Sequence, residues 1–133
     1  MKAYSAAYLD KKSTEVLNSF GLNKESFHVT TCFDETGAIM NCSTVGFNTS
    51  TAQISDVVEW KIGDKILLIA LIKDCKWTSD INSLMKSIGA VELLEHIPHI
   101  TLAKNCFAGE SLEFKGLIGE NLTFDCHSIK KML

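Results

Sequence analysis

The sequence predicts an α+β fold built from two like halves related by a pseudo-twofold axis. Three observations predict it. Apolar residues alternate with strand period near the start, middle and end of the chain, and two stretches of helical period lie between such strands. A His-apolar-Thr string then recurs on the strand after each helical stretch, as His28-Val29-Thr30 and His99-Ile100-Thr101.

Residues 2–9 read as a strand, with Ala3, Ala7 and Leu9 on one side and Tyr4 and Tyr8 on the other. Asp10 to Phe20 reads as a helix, with Val16, Leu17 and Phe20 at helical spacing and Gly21 as its stop. Phe27 to Phe33 is the first motif strand. A polar stretch from Asp34 to Thr51 follows; its length and its Thr, Ser, Asn and Gly content suggest a flexible lid.

Ile54 to Ile62 and Lys65 to Ile72 read as strands joined by a tight hairpin at Gly63-Asp64, the second being almost continuously apolar, as in a strand buried on both faces. Thr78 to Gly89 reads as a helix capped by Thr78 or Ser79, with a stripe of Ile81, Leu84, Met85 and Ile88. His99 to Lys104 is the second motif strand, and Pro98, the single proline, stands where a strand begins without losing a donor. Glu113 to Leu117 and Leu122 to Ile129 supply one or two more strands. With no linker or low-complexity segment, the 133 residues form one domain, whose lobes of roughly 1–51 and 52–133 intertwine.

The repeated string carries chemistry. Alternate side chains of a strand share a face, so each His and its Thr point together while Val29 and Ile100 turn to the core. Threonine falls two residues after two of the four histidines, which chance placement produces roughly a few per cent of the time. Were the two pairs to face each other, His28 and His99 would supply a general base and a general acid near neutral pH, and the Thr30 and Thr101 hydroxyls would donate to the non-bridging oxygens of a phosphodiester. That scheme needs no metal and no cofactor. A lone strand histidine is more often structural, so the weight lies on the pair in matching halves. His96 and His127 lack the Thr and read as surface or structural residues.

Composition narrows the substrate. Net charge is −3, and all thirteen basic residues are lysine. Long nucleic acid is held by neutralising many phosphates, and bidentate guanidinium clamps are unavailable, so a small anionic ligand fits better than a polymer. By strand parity Lys104 falls opposite His99, a poor phosphate ligand unless the strand twists or ends early. Tyr4, Trp60 and Trp77 are candidates to stack on a base, although Trp60 alternates with Val58 and Ile62, which favours the core. The five cysteines are scattered and never form CxxC, suggesting neither a disulfide framework nor a zinc site; buried thiols in a reducing cytosol are expected. No apolar run approaches the ~20 residues of a membrane helix or the stretch of a signal peptide, so a cytoplasmic location is expected.

The two strings in a duplicated layout resemble the signature of the 2H phosphoesterase superfamily. The resemblance implies a bilobal fold with a concave antiparallel sheet and outer helices. It also implies phosphodiester chemistry without metal, with catalytic roles on His28 and His99 and phosphate contacts from Thr30 and Thr101. The compact, arginine-free chain looks most like the phage anti-CBASS phosphodiesterases, which cleave 3′–5′ bonds of cyclic oligonucleotide second messengers and so counter host immunity. An RNA-end or 2′,5′-oligoadenylate phosphodiesterase is the second enzymatic expectation, and a non-catalytic nucleotide sponge the third. Two complete motifs count against the sponge, which has no need of paired imidazoles.

Overall fold

The computed structural model describes residues 2–42 and 47–132. It is α+β, with strands β1 (Ala3–Leu9), β2 (His28–Asp34), β3 (Ser50–Ile62), β4 (Lys65–Lys73), β5 (His99–Ala103) and β6 (Asn121–Lys131). Helix α1 (Lys11–Asn18) joins β1 to β2, and α2 (Lys76–Ser87) joins β4 to β5. Every pairing is antiparallel, in the order β1-β2-β5-β4-β3-β6, closed on itself.

The closed ladder has two narrow seams. One is β2 against β5, a single pair, Val29 with Ile100. The other is β3 against β6, four pairs from Ser50–Phe124 to Gln53–Asn121. Between the seams lie two three-stranded units, β6-β1-β2 and β3-β4-β5, so the halves are interwoven: the last strand completes the first unit. The two motif strands, β2 and β5, meet at the first of these seams.

Helix α1 starts where its cap dictates, for the Asp10 carboxylate accepts the Ser13 N–H at 2.8 Å. Helix α2 starts at Lys76, ahead of the expected caps. Thr78 instead donates its hydroxyl to the Cys75 carbonyl at 2.9 Å, and the buried stripe is Thr78, Asn82 and Met85. Leu84 and Ile88 face solvent. Asn82 tolerates burial because its amide donates to the Thr31 carbonyl and the Glu92 carboxylate. Gly63, at φ +62°, makes the expected hairpin between β3 and β4.

Three other expectations need correction. Residues 113–117 are not a strand but part of a 3₁₀ helix, Glu110–Leu117, whose buried residues Ser111, Phe114 and Leu117 recur every third position, the period of that helix. Strand β3 begins at Ser50, four residues before the expected start. The cysteines are free, but only Cys32 and Cys75 are buried, and Cys126 is exposed.

In the expected lid, residues 43–46 lie outside the described residues. The part before them is pinned, because Asp34 and Ile39 are buried and a short 3₁₀ turn spans Ala38–Asn41. The Asp34 carboxylate accepts four hydrogen bonds, from the Thr36 N–H and hydroxyl, the Ile39 N–H and the Val91 N–H. It ties the end of the first motif strand to the segment that leads into the second. Glu92 adds a second tie, accepting the Phe33 N–H at 2.6 Å.

Candidate active site

Each motif strand divides its side chains as alternation demands. Val29 and Ile100 are fully buried in the main core with Ala7, Ala70, Leu68 and Leu102, each contributing about 1.5–3 kcal/mol by its burial. His28, Thr30, His99 and Thr101 are half-buried on the other face. Because Val29 pairs with Ile100 in antiparallel register, the next positions set His28 beside Thr101 and Thr30 beside His99. The structure therefore brings the four predicted residues together, each imidazole lying diagonally from the other across the seam. Ala6 opposite Thr30 and Ile69 opposite Thr101, both fully buried, floor the face.

The two imidazoles have different settings. His99 Nδ1 lies 2.7 Å from the Ile97 carbonyl; a carbonyl only accepts, so Nδ1 carries the proton and Nε2 is left for the cleft. His28 has no hydrogen-bond partner among the described residues. Burial pushes its pKa below the usual value of 6.5, and the charges of Lys24, Lys130, His99 and Lys104 push the same way. At neutral pH His28 is thus held as the uncharged form, ready to accept a proton.

Aromatic rings flank both. The Tyr8 and Tyr4 rings lie 5.4 and 6.2 Å from that of His28, centre to centre, and Trp60 lies 4.4 Å from His99. Tyr4 is on the expected face. Trp60 is not in the core as its alternation with Val58 and Ile62 suggested. A bulge at Ser55, where Ile54 pairs with Ile72 but Asp56 with Leu71, reverses the parity of β3, so Val57 turns inward and Trp60 outward. Trp77 is elsewhere: from the first turn of α2 it donates its Nε1–H to the Thr51 carbonyl at 2.8 Å and packs on Phe124 and Phe47.

No family model matches the chain, and no curated protein matches it. The chemistry of the site therefore rests on its own residues.

Sequence reasoning missed Tyr8, Lys24 and Lys130. Tyr8 shared the side assigned to Tyr4, which was a usable signal. Lys130 had none, since chain topology alone delivers it, and Lys24, though close before His28 in sequence, stands in a loop whose path no residue pattern gives. Lys24 reaches from the α1–β2 loop and donates to the Thr101 carbonyl at 3.1 Å, and the Lys130 ammonium sits 4.9 Å above the centre of the Tyr8 ring. An acidic chain thus gathers positive charge beside His28. His127 is structural: its Nε2 lies 3.0 Å from the Thr31 hydroxyl, itself 2.6 Å from Ser5. His96 Nε2 is buried without a partner among the described residues.

Proposed function

We propose that the chain is a metal-independent phosphodiesterase of the 2H type that opens 3′–5′ cyclic oligonucleotides, acting as a phage protein against CBASS immunity. The observation that carries the reading is the diagonal placement of two His-Thr pairs across the Val29–Ile100 pair. The like strand order of β6-β1-β2 and β3-β4-β5, each with its motif strand at the seam, also supports the 2H resemblance.

His28, uncharged, takes the proton of the ribose 2′-hydroxyl as its oxygen attacks the adjacent phosphorus. Charge gathers on the non-bridging oxygens, toward which the Thr30 and Thr101 hydroxyls can donate. The bond from phosphorus to the leaving 5′-oxygen breaks, and His99 supplies that oxygen with a proton through Nε2. A 2′,3′-cyclic phosphate results; water then opens it with the roles reversed, leaving a 3′-phosphate. The 2′-hydroxyl is already adjacent, so proximity removes much of the barrier.

The test is incubation with a panel of cyclic, linear 3′–5′ and 2′,5′-linked oligonucleotides in EDTA. Cyclic substrates are expected to be opened fastest, and a His28→Ala/His99→Ala variant to open none. Preference for linear substrates would favour the RNA-end or 2′,5′-oligoadenylate reading. Tight binding with the ligand recovered intact would favour the sponge.

The position of Trp60 beside His99 gives a further expectation. Base–aromatic stacking contributes ~1–3 kcal/mol, so Trp60→Ala is expected to raise KM about tenfold with a smaller change in kcat. Trp77→Ala, by contrast, is expected to lower the melting temperature and leave KM near that of the parent. A reversal of the two phenotypes would remove Trp60 from the site.

A further inference from the structure

The seam between β2 and β5 is held by a single strand pair, which leaves room for a side chain to bond the strand backbone beside it. The Lys24 ammonium does so, donating to the Thr101 carbonyl at 3.1 Å while resting 5.3 Å from the centre of the Phe27 ring. Beside it lies a mostly apolar cavity of about 460 Å³, lined among others by Leu22, Asn23, Lys24, Lys104, Glu110 and Phe114. Neither catalytic imidazole lines it. The volume is within the range of small-ligand sites.

Strand β5 ends at Ala103, so Lys104 lies just past the strand rather than locked to its opposite face. Neither Lys24 nor Lys104 has a carboxylate within ion-pair distance among the described residues, although Glu110 shares the cavity. The two ammonium groups line one hollow, Lys24 reaches the backbone of the motif residue Thr101, and both charges act on His28. Two cations that line one mostly apolar hollow without a carboxylate paired to either form a receptor for an anion attached to a flat apolar group.

We propose that Lys24 and Lys104 bind a second phosphate of the substrate, the neighbour of the one cleaved between His28 and His99, with its nucleoside seated against Leu22 and Phe114. This rests on the phosphodiesterase reading and explains within it why a substrate with a second phosphate would be preferred to one with a single phosphodiester. Glu110 faces the same hollow as an acceptor suited to an exocyclic amino group of the base.

The experiment compares a cyclic dinucleotide with a dinucleoside monophosphate, whose 2′-hydroxyl and single phosphodiester allow the same chemistry. Lys104→Met and Lys24→Met are each expected to lower kcat/KM for the cyclic dinucleotide at least tenfold more than for the monophosphate. Equal losses, or none, would overturn the inference. Lys104 is exposed, so its variant separates the result from any folding defect of Lys24→Met. Failure of the parent chain to turn over either substrate would instead overturn the phosphodiesterase reading. Calorimetric titration with adenosine 3′,5′-bisphosphate then decides alone: tenfold weaker binding to Lys104→Met upholds the second-phosphate site, and equal binding, or none to the parent, rejects it.

Discussion

His28→Ala is expected to lower kcat/KM on a cyclic dinucleotide by about 10² to 10⁴, the usual contribution of one general base. The pH profile of the parent carries more information. Burial first, and then the charges of Lys24, Lys130, His99 and Lys104, depress the pKa of His28 below 6.5. A base works in its unprotonated form, so the acidic limb of kcat/KM lies below pH 6.5. Lys24→Met removes one of the depressing charges and moves that limb upward. His99→Ala is expected to lower the plateau and, because the charge of His99 is one of those depressing His28, to move the limb upward as well. The leaving group separates the roles further: a ribonucleoside 3′-(4-nitrophenyl phosphate) keeps the attacking 2′-hydroxyl but needs no proton on departure, so it restores much of the rate to His99→Ala and little to His28→Ala. Equal rescue of both, or an acidic limb above 6.5 that Lys24→Met leaves in place, would remove the assignment of His28 as base.

The second large effect is on stability. Burial alone would raise the pKa of Asp34, but the hydrogen bonds from Val91, Ile39 and Thr36 outweigh it and hold the value at about 2, against an ordinary 3.8. Asp34 is fully buried, so the difference converts to about 2 kcal/mol of folding stability. The folded pKa is the lower one, so this stability is present above pH 4 and is lost as pH falls through about 2. Asp34→Asn is therefore expected to lose about 2 kcal/mol at pH 7, and Asp34→Ala more, because four donors, among them the buried Ile39 N–H, are left without their acceptor. In urea unfolding the gap between parent and Asp34→Asn closes as pH drops from 4 toward 2. A gap that stays constant over that range would show that the carboxylate charge is not what holds these segments together.

Features that depend on spacing two apart were legible in the sequence. His28 and Thr30, and His99 and Thr101, share a face because a strand alternates, and nothing in their tertiary setting disturbs that. The same rule failed for Trp60, because one extra residue at Ser55 reverses the alternation and a bulge leaves no mark in a hydrophobic pattern. Glu113 to Leu117 failed for another reason. Its buried positions continue a period of three that begins at Ser111, outside the stretch that looked strand-like. The outward turn of Leu84 and Ile88 was hidden because Asn82 is polar, and its burial becomes tolerable only once Thr31 and Glu92 are in place to receive it. Lys130 reaches His28 from a distant part of the chain, and Lys24, close before it in sequence, is turned toward the site only by the path of the α1–β2 loop.

The interweaving of the halves has a consequence for biogenesis. Strand β6 flanks β1, so the three-stranded unit that bears His28 stays open on one side until residues 121–131 have left the ribosome. The unit that bears His99, made of residues 50–103, has all its strands earlier. The later half in sequence is thus the first that can close. Once residues 50–103 have emerged, and before 121–131 follow, the chain would present a complete scaffold for one imidazole and an incomplete one for the other, and the two would share a finished frame only when β6 takes its place beside β1.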